Sequence, residues 1–533
     1  VTFVRRNIRV PFDLPLEQIP SRLAPLIGLP ADAIRSWEVV RKGVDARKKP
    51  HILLVLTIRF TVDPRFAPTL RERDDPDLEP WTPPSPEVIE PVSHPTPVLV
   101  VGMGPAGLFA AHRLLSHGLS VVIVERGGDL DERTAACTRF WREGVLDPDC
   151  NVQFGEGGAG TFSDGKLVTR VKDPRVRLVL ETLVRYGAPE EILVAARPHV
   201  GTDRLRRVIR GMRDDLIARG AQVRFRSRLT DLLIDGDRVR GGVVNDRDDI
   251  RCDHLVLAPG NSARDTFVML RDRGVALAAK PFAVGLRVEH PQELIDTIQY
   301  GFSGHPALPP ADYSLAVTDP LTGRGVYSFC MCPGGVVIAS SSEEGGVVTN
   351  GMSFHARRGR YANSALVVSV GPDDFGAPSP LAGVEFQRDL EQKGYTAGGG
   401  GYRAPAQSLL AFLGKRGGVT RSTYRPGVTE YPLDRILPPV VTDHLRRGIV
   451  MFDRRMRGFV TAEATLVGVE TRTSSPVRLL RDEWCRSISH RGLYPCGEGA
   501  GYAGGITSAA LDGMRVADGI VASVRGSARE RTG

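Results

Sequence analysis

Long apolar runs are missing from this 533-residue chain, and none approaches the ~18 residues that a membrane-spanning helix needs. The richest stretch, residues 97–111, is already broken by Gly102, Gly104, Pro105 and Gly107. The first residues, Val-Thr-Phe-Val-Arg-Arg-Asn, lack the apolar centre of a signal peptide. Cysteine is scarce too: seven residues, an odd number, are scattered without a Cys-x-x-Cys pair. That excludes a disulfide framework and leaves no recognisable zinc or iron–sulfur ligand set, so no metal is expected. A reducing cytoplasm is the expected location. Among the 70 basic residues arginine outnumbers lysine severalfold, and the formal charge is +8. Such a balance suits phosphate-bearing ligands. Both signs are interspersed and no RNA-binding motif occurs, so nucleic acid is not the expected partner.

What is present is an ordinary globular composition, 41% apolar, in a chain long enough for two or three domains. Its most informative segment is residues 98–126. An apolar run, Val98 to Val101, leads into Gly102-Met-Gly-Pro-Ala-Gly107, a helical stretch to about Ser116, and a second apolar run ending at Glu125. Gly102 permits the tight turn, Gly104 lets backbone approach a pyrophosphate, and Gly107 allows helix and strand to pack closely. Pro105 suits a first helical turn, followed by Ala106, and the helix start directs N–H groups at the phosphates. Glu125 then stands where an adenosine ribose would offer its hydroxyls. The turn alone does not separate FAD from NAD.

A second match lies at the far end. Tyr494-Pro-Cys-Gly-Glu-Gly499 reads as a strand and turn, and a helix starts near Gly505, Ile506 and Thr507. This segment resembles the close of the two-dinucleotide-binding-domain flavoproteins. That resemblance implies that Gly497 and Glu498 meet the FAD ribityl-phosphate, and that the next helix points its N-terminus at the flavin. Such a dipole favours the negative charge of reduced flavin. The stretch from His254 to Gly260, with Ala258, resembles the strand that returns the chain to the FAD domain. Residues 151–166, 327–335, 401–407 and 468–476 are similar to segments of a poorly characterised family of bacterial FAD-dependent dehydrogenases. That likeness covers nearly the whole chain and implies noncovalent FAD, while saying little about the substrate.

The pattern along the chain predicts an α/β fold: a Rossmann-like FAD-binding domain with an inserted β-rich α+β substrate domain and a small N-terminal α+β domain. The boundaries read 1–68 for the N-terminal unit, 69–95 for a proline-rich linker, 96–279 and 456–533 for the FAD domain, and 280–455 for the insert. The basic loop from Arg41 to Lys49 reads either as a solvated hairpin tip or as a dock for an anionic partner. The four glycines 398–401 follow no strand and read as a flexible loop rather than a second nucleotide site.

Several residues are candidates for chemistry. Gly158, Gly160, Thr161, Asp164, Gly165 and Lys166 form a loop suited to flavin and pyrophosphate, the other reading being a purely structural glycine loop. Arg126 and Arg133 are placed to stack on adenine or to pair with phosphate. The resemblance puts a backbone amide near adenine at Leu229. Arg472 is the leading catalytic candidate, holding an anionic substrate or stabilising reduced flavin, or else forming a structural ion pair with Glu470. Tyr502 and His355 are proton-donor candidates. Cys330 and Cys332 form Cys-x-Cys, which reads either as a redox dithiol or metal pair or as structural; they share one face of a regular strand with no Cys-x-x-Cys or His partner, and we read them as structural.

Together these features predict an FAD-dependent oxidoreductase, a dehydrogenase or reductase of a small organic substrate. A flavin monooxygenase, a nucleic-acid-modifying flavoprotein and a flavin-binding regulatory protein are the rival readings. Because no second strand–glycine–helix unit follows Gly107, NAD(P)H is expected only as a transient electron donor.

Overall fold

The strand Pro97–Val101 organises the molecule. Its side chains alternate: Val98 and Val100 join one core, Leu99 and Val101 another, and all four are buried. A strand covered on both faces belongs to a parallel sheet. In the computed structural model, which describes residues 1–83, 85, 87–376 and 378–532, that sheet has five strands. Pro84 and Pro86 of the proline-rich segment lie outside the described residues. The strand order is Leu493–Pro495, His254–Leu257, Pro97–Val101, Ser120–Val124 and Gln222–Arg224, every neighbour parallel. The chain leaves Pro97–Val101 to one side and returns as His254–Leu257 on the other. That reversal opens a crevice at the C-terminal ends of the strands, where ligands of such sheets bind.

Helices Pro105–Ser116, Thr202–Ala218 and Ile506–Thr532 contribute to the core on one face. A three-stranded antiparallel sheet, Leu229–Asp235, Arg238–Val244 and Asp248–Arg251, covers the other. Glycine sets the closest approaches. A Cβ on Gly107 would stand 2.0 Å from the Gly102 carbonyl oxygen, and one on Gly513 would stand 2.1 Å from that of Ala106. Both helix contacts therefore exclude any side chain.

The insert is a seven-stranded sheet ordered Ala316–Thr318, Gly325–Cys332, Tyr361–Val370, Phe282–Pro291, Thr465–Glu470, Ala404–Ser408 and Val428–Glu430. Thr465–Glu470 pairs with Phe282–Pro291, so this domain reaches Glu470 rather than stopping at residue 455. The N-terminal unit is a four-stranded antiparallel sheet packed on helix Ile19–Ile27. Its fourth strand, Leu78–Pro80, comes from the segment expected to be linker. The basic hairpin is anchored at its stem and not merely solvated. Lys42 N–H donates to Val194 O at 2.7 Å, Ala196 N–H donates to Lys42 O at 2.8 Å, and Lys49 donates to Ile298 O.

One buried cluster ties the parts together. Glu391, on the insert helix Ala382–Ala397, accepts from Arg264 at 2.8 and 3.0 Å, from Arg472 at 2.9 and 3.0 Å, and from Thr471 at 2.7 Å. Removing one member of a buried pair strands the others, at about 3–5 kcal/mol. Glu391→Ala should lose stability on that scale in urea unfolding. Glu385→Ala, which breaks only an exposed pair with Arg388, should lose less than about 1 kcal/mol. Equal losses would show that the cluster does not hold the domains.

Candidate cofactor and substrate site

At the C-terminal end of Pro97–Val101 the chain turns through Gly102, whose φ of 96° favours glycine and whose Cβ would lie 2.2 Å from Ala258 O. Gly104 behaves differently. Its Cβ would meet nothing nearer than Gly158 Cα at 3.7 Å, so bare backbone faces a cavity. Across from it Gly158, at φ 65°, lies against Gly104, its own Cβ falling 2.9 Å from Gly104 Cα. Gly260, Gly504 and Gly505 likewise have open space where a side chain would stand. The first amides of helices Pro105–Ser116 and Ile506–Thr532 lack intrahelical acceptors. A cavity of ≈ 360 Å³ joins these features. Glu125, Arg126, Ser227 and Leu229 line it on the FAD-sheet side, and Phe329, Cys330, Asn350 and Arg472 line it on the insert side.

Most of the residues expected from sequence are on this surface. Gly102, Gly104, Pro105 and Ala106 form the turn and helix start, with Ala258 and Gly260 on the neighbouring strand end. Gly158, Gly160, Asp164, Gly165 and Lys166 line it from the loop, and Glu498, Gly505 and Ile506 from the closing segment. Others are not. Gly107 packs on Gly102, and Gly497 donates its N–H to Asp512 at 2.7 Å. Arg133 is fully buried and donates to the carbonyls of Asn151, Val152, Gly155 and Glu156, so it scaffolds the loop from behind instead of meeting adenine or phosphate. Thr161 accepts from Arg133, and Thr507 donates to Leu167 O at 2.8 Å. Tyr502 donates to Leu479 O beneath the Arg481 guanidinium, away from the cavity. His355 pairs with Glu191 and stacks on His199, also outside it.

The charged groups reveal how the cavity is held. Glu125 accepts from the backbone amides of Met103 at 2.9 Å, Gly127 at 3.0 Å and Gly155 at 2.9 Å. It therefore orders the glycine turn itself, beyond any hold on a ribose. Arg126 lies over Phe154, 4.2 Å from the ring centre, and pairs with Asp265 at 2.7 Å. Asp164 accepts from Arg357, Lys166 and Ser353, and those partners keep its carboxyl well below the usual range despite burial. Arg472 pairs with Glu391, not Glu470; Glu470 is held by Arg287 at 2.8 and 2.9 Å. Glu498 is the contrast. Burial pushes its carboxyl up to about 7, opposed only in part by Asn261 Nδ2 at 2.9 Å and the charge of Lys280.

Sequence reasoning missed a polar ladder across this wall. Asn261 bonds Glu498, Ser262 bonds Asn261 at 2.8 Å and Gln153 at 3.1 Å, and Gln153 bonds Ser340 at 2.6 Å. Asn261 and Ser262 directly follow Gly260, and that placement after a returning strand was the available signal. Cys330, expected to be structural, lines the cavity. The pairing of Gly325–Cys332 with its neighbour shifts between Phe329 and Cys332, so the alternation that placed both cysteines on one face is broken.

The glycine cradle, the exposed helix starts and the return of the chain across the sheet define an FAD-binding protein. Residues 95–139 match the FAD binding domain family, and residues 281–473 match the family described as FAD-dependent protein, C-terminal domain-like. Residues 5–61 match a domain of unknown function, DUF8436. Over 528 residues the chain is 43% identical to an uncharacterized protein of Clostridium beijerinckii, covering 97% of this chain and 98% of that one. The chain belongs to this family of FAD-dependent proteins, and its cofactor is FAD. Among solved structures it is similar to the flavin-dependent brominase Bmp2, at 14% identity over 81% of this chain and 80% of that chain, with a TM-score of 0.37. It is also similar to a glycine oxidase from Bacillus cereus, at 12% identity over 80% and 95%, with a TM-score of 0.34.

Glu498 supplies a pH test. Its folded pKa lies above that of an unfolded glutamate, about 4.3, so the native state keeps a proton that the unfolded chain has lost. Its contribution to stability is therefore lost as pH rises from about 4.3 to about 7, and is fully lost above. The total is on the order of 3 kcal/mol. In flavin-stripped protein, Glu498→Gln should gain stability over wild type as pH rises from 5 to 8. A difference that stays flat with pH would refute the raised pKa.

Proposed function

We propose that this protein is an FAD-dependent oxidoreductase, a dehydrogenase or reductase of a small organic molecule that docks between the FAD sheet and the insert. One observation carries the reading. The cavity that begins at the glycine turn continues without a break to Phe329, Cys330, Asn350 and Arg472 of the insert and its exit strand. The backbones of Gly104 and Gly158 and the start of helix Pro105–Ser116 would hold the pyrophosphate. Arg126 over Phe154 and the strand start at Leu229 would wall the adenosine. Glu498, protonated up to about pH 7, would donate to a ribityl or phosphate oxygen. Amides at Gly505 and Ile506 would face the flavin pyrimidine edge, where the helix dipole favours negative charge. Bound FAD supplies a two-electron donor or acceptor, and the chain supplies orientation and proton placement.

The insert side carries few free charges. Arg472 is tethered to Glu391 and to Ser342, so its guanidinium shapes the wall more than it attracts an anion. Lys166 commits two of its three donors to Asp164 and Met331 O, leaving one for the cavity. Among the described residues there is one parallel nucleotide-type sheet, so NAD(P)H would bind only transiently near the flavin.

Gly104→Ala separates cofactor binding from folding, because its Cβ finds room in the protein itself. Flavin-free Gly104→Ala should melt with wild type yet bind FAD at least about tenfold more weakly, roughly 1.4 kcal/mol. Unchanged affinity in isothermal titration would place the pyrophosphate elsewhere. In anaerobic bleaching, small organic substrates should reduce the flavin with saturation, and NAD(P)H should do so weakly or not at all. Tight, saturable bleaching by NADH or NADPH would reverse the assignment of donor.

A further inference from the structure

Cys330 occupies an unusual position. Its φ of 45° lies in the left-handed region that side chains other than glycine avoid, and it sits where the strand Gly325–Cys332 bulges away from regular pairing. Such conformations carry strain and persist only where surrounding structure imposes them. Here the bulge turns Cys330, partly exposed, onto the cavity wall and leaves Cys332 fully buried behind it. The surroundings fix the geometry. Arg287 donates to Cys330 O at 3.3 Å, Lys166 donates to Met331 O between the two cysteines, and the Cys332 thiol lies 3.3 Å from Cys330 O. The nearby carboxylates Asp164 and Glu470 are each held by cations, Lys166 with Arg357 and Arg287 respectively.

We propose that Cys330 and Cys332 form a thiol–disulfide redox pair in the cavity wall, reactive toward small disulfides and dithiols. This goes beyond the flavin reading and does not depend on it. The Cys330 thiolate attacks one sulfur of an external disulfide, forming a mixed disulfide and releasing one thiolate. Cys332 attacks the Cys330 sulfur, its proton passing to the second thiolate as that group departs, and the internal disulfide closes. The pair loses two electrons and the external disulfide gains them; a dithiol reverses the sequence. The neighbouring Cys332 thiol and the cations Lys166 and Arg287 bring Cys330 down against the cost of burial, while Cys332 is raised. The other five cysteines are buried and shifted upward, Cys137 and Cys252 to about 12. Thiolate character thus belongs to one member of the pair, the arrangement that thiol exchange requires.

The test is a redox titration of the full-length protein, with its flavin, in buffers of oxidised and reduced dithiothreitol. Samples are quenched in acid, alkylated and digested, and the 325–357 peptide, which carries both cysteines, is weighed. The expected result is a single two-electron transition from two alkyl labels to none, with the remaining cysteines fully labelled throughout. Cys332→Ser should stop at a mixed disulfide on Cys330 when oxidised glutathione is supplied. A peptide that keeps both labels in every buffer would overturn the proposal. So would oxidised glutathione leaving two separate adducts in wild type with no internal disulfide.

Discussion

The carboxylate of Glu391 is the constraint on which the rest of the molecule depends. It is 2% exposed and meets two guanidiniums, Arg264 and Arg472, and the hydroxyl of Thr471. Burial works against its charge, yet the two arginines hold its pKa at about 2. A carboxylate in that position is stable only while both cations stay in place, because an unpaired charge at such depth costs several kcal/mol. The three segments come from three parts of the chain. Arg264 follows the returning strand of the FAD sheet, Glu391 rides an insert helix, and Arg472 follows the last insert strand. Closing the cluster therefore fixes the distance between the two walls of the cavity.

A second brace works at the loop. Asp164 joins Lys166 of its own segment to Arg357 and Ser353 of the insert, while Arg133 fastens the preceding turn to four backbone carbonyls. Glu125 does the complementary task, accepting three backbone amides that the glycine turns leave without partners. Glycine lets the backbone reach the cavity, and glycine also leaves that backbone poorly determined. Buried charges supply the determination. The sequence shows the glycines openly and conceals the charges, since an arginine that scaffolds a loop looks the same in sequence as one that meets a phosphate.

That difference explains how much was legible beforehand. The turn from Gly102 to Gly107, the acid at Glu125 and the closing helix at Gly505 were readable because each rests on local periodicity and turn geometry. The fold class followed from their order. Leu78–Pro80 was missed because three residues carry no period, and only pairing with Phe3 to Arg5 makes them a strand. The insert was closed too early because Thr465–Glu470 belongs to it by pairing with Phe282–Pro291, far away in sequence. Arg472 lines the cavity, and its partner is Glu391 rather than Glu470, two residues away. Side chains two apart share a face on a regular strand, and Glu470 instead turns toward Arg287. Cys330 escaped for a related reason: a bulge inserts one residue and exchanges the faces, and nothing local in Phe-Cys-Met-Cys announces it.

The acids around the cavity divide by partner, and the division says where a proton can reside. Glu125 rests on amides, Asp164 and Glu470 rest on cations, and all three are committed as acceptors. Glu498 has one amide donor and a distant lysine, and burial keeps its proton on to about pH 7. An anionic group arriving beside it makes its ionisation harder still, because two like charges at close range disfavour each other in a low-dielectric pocket. A phosphate placed beside Glu498, as proposed, would therefore favour its protonated form. Under the proposed placement of FAD, that protonated carboxyl would donate to a phosphate or ribityl oxygen.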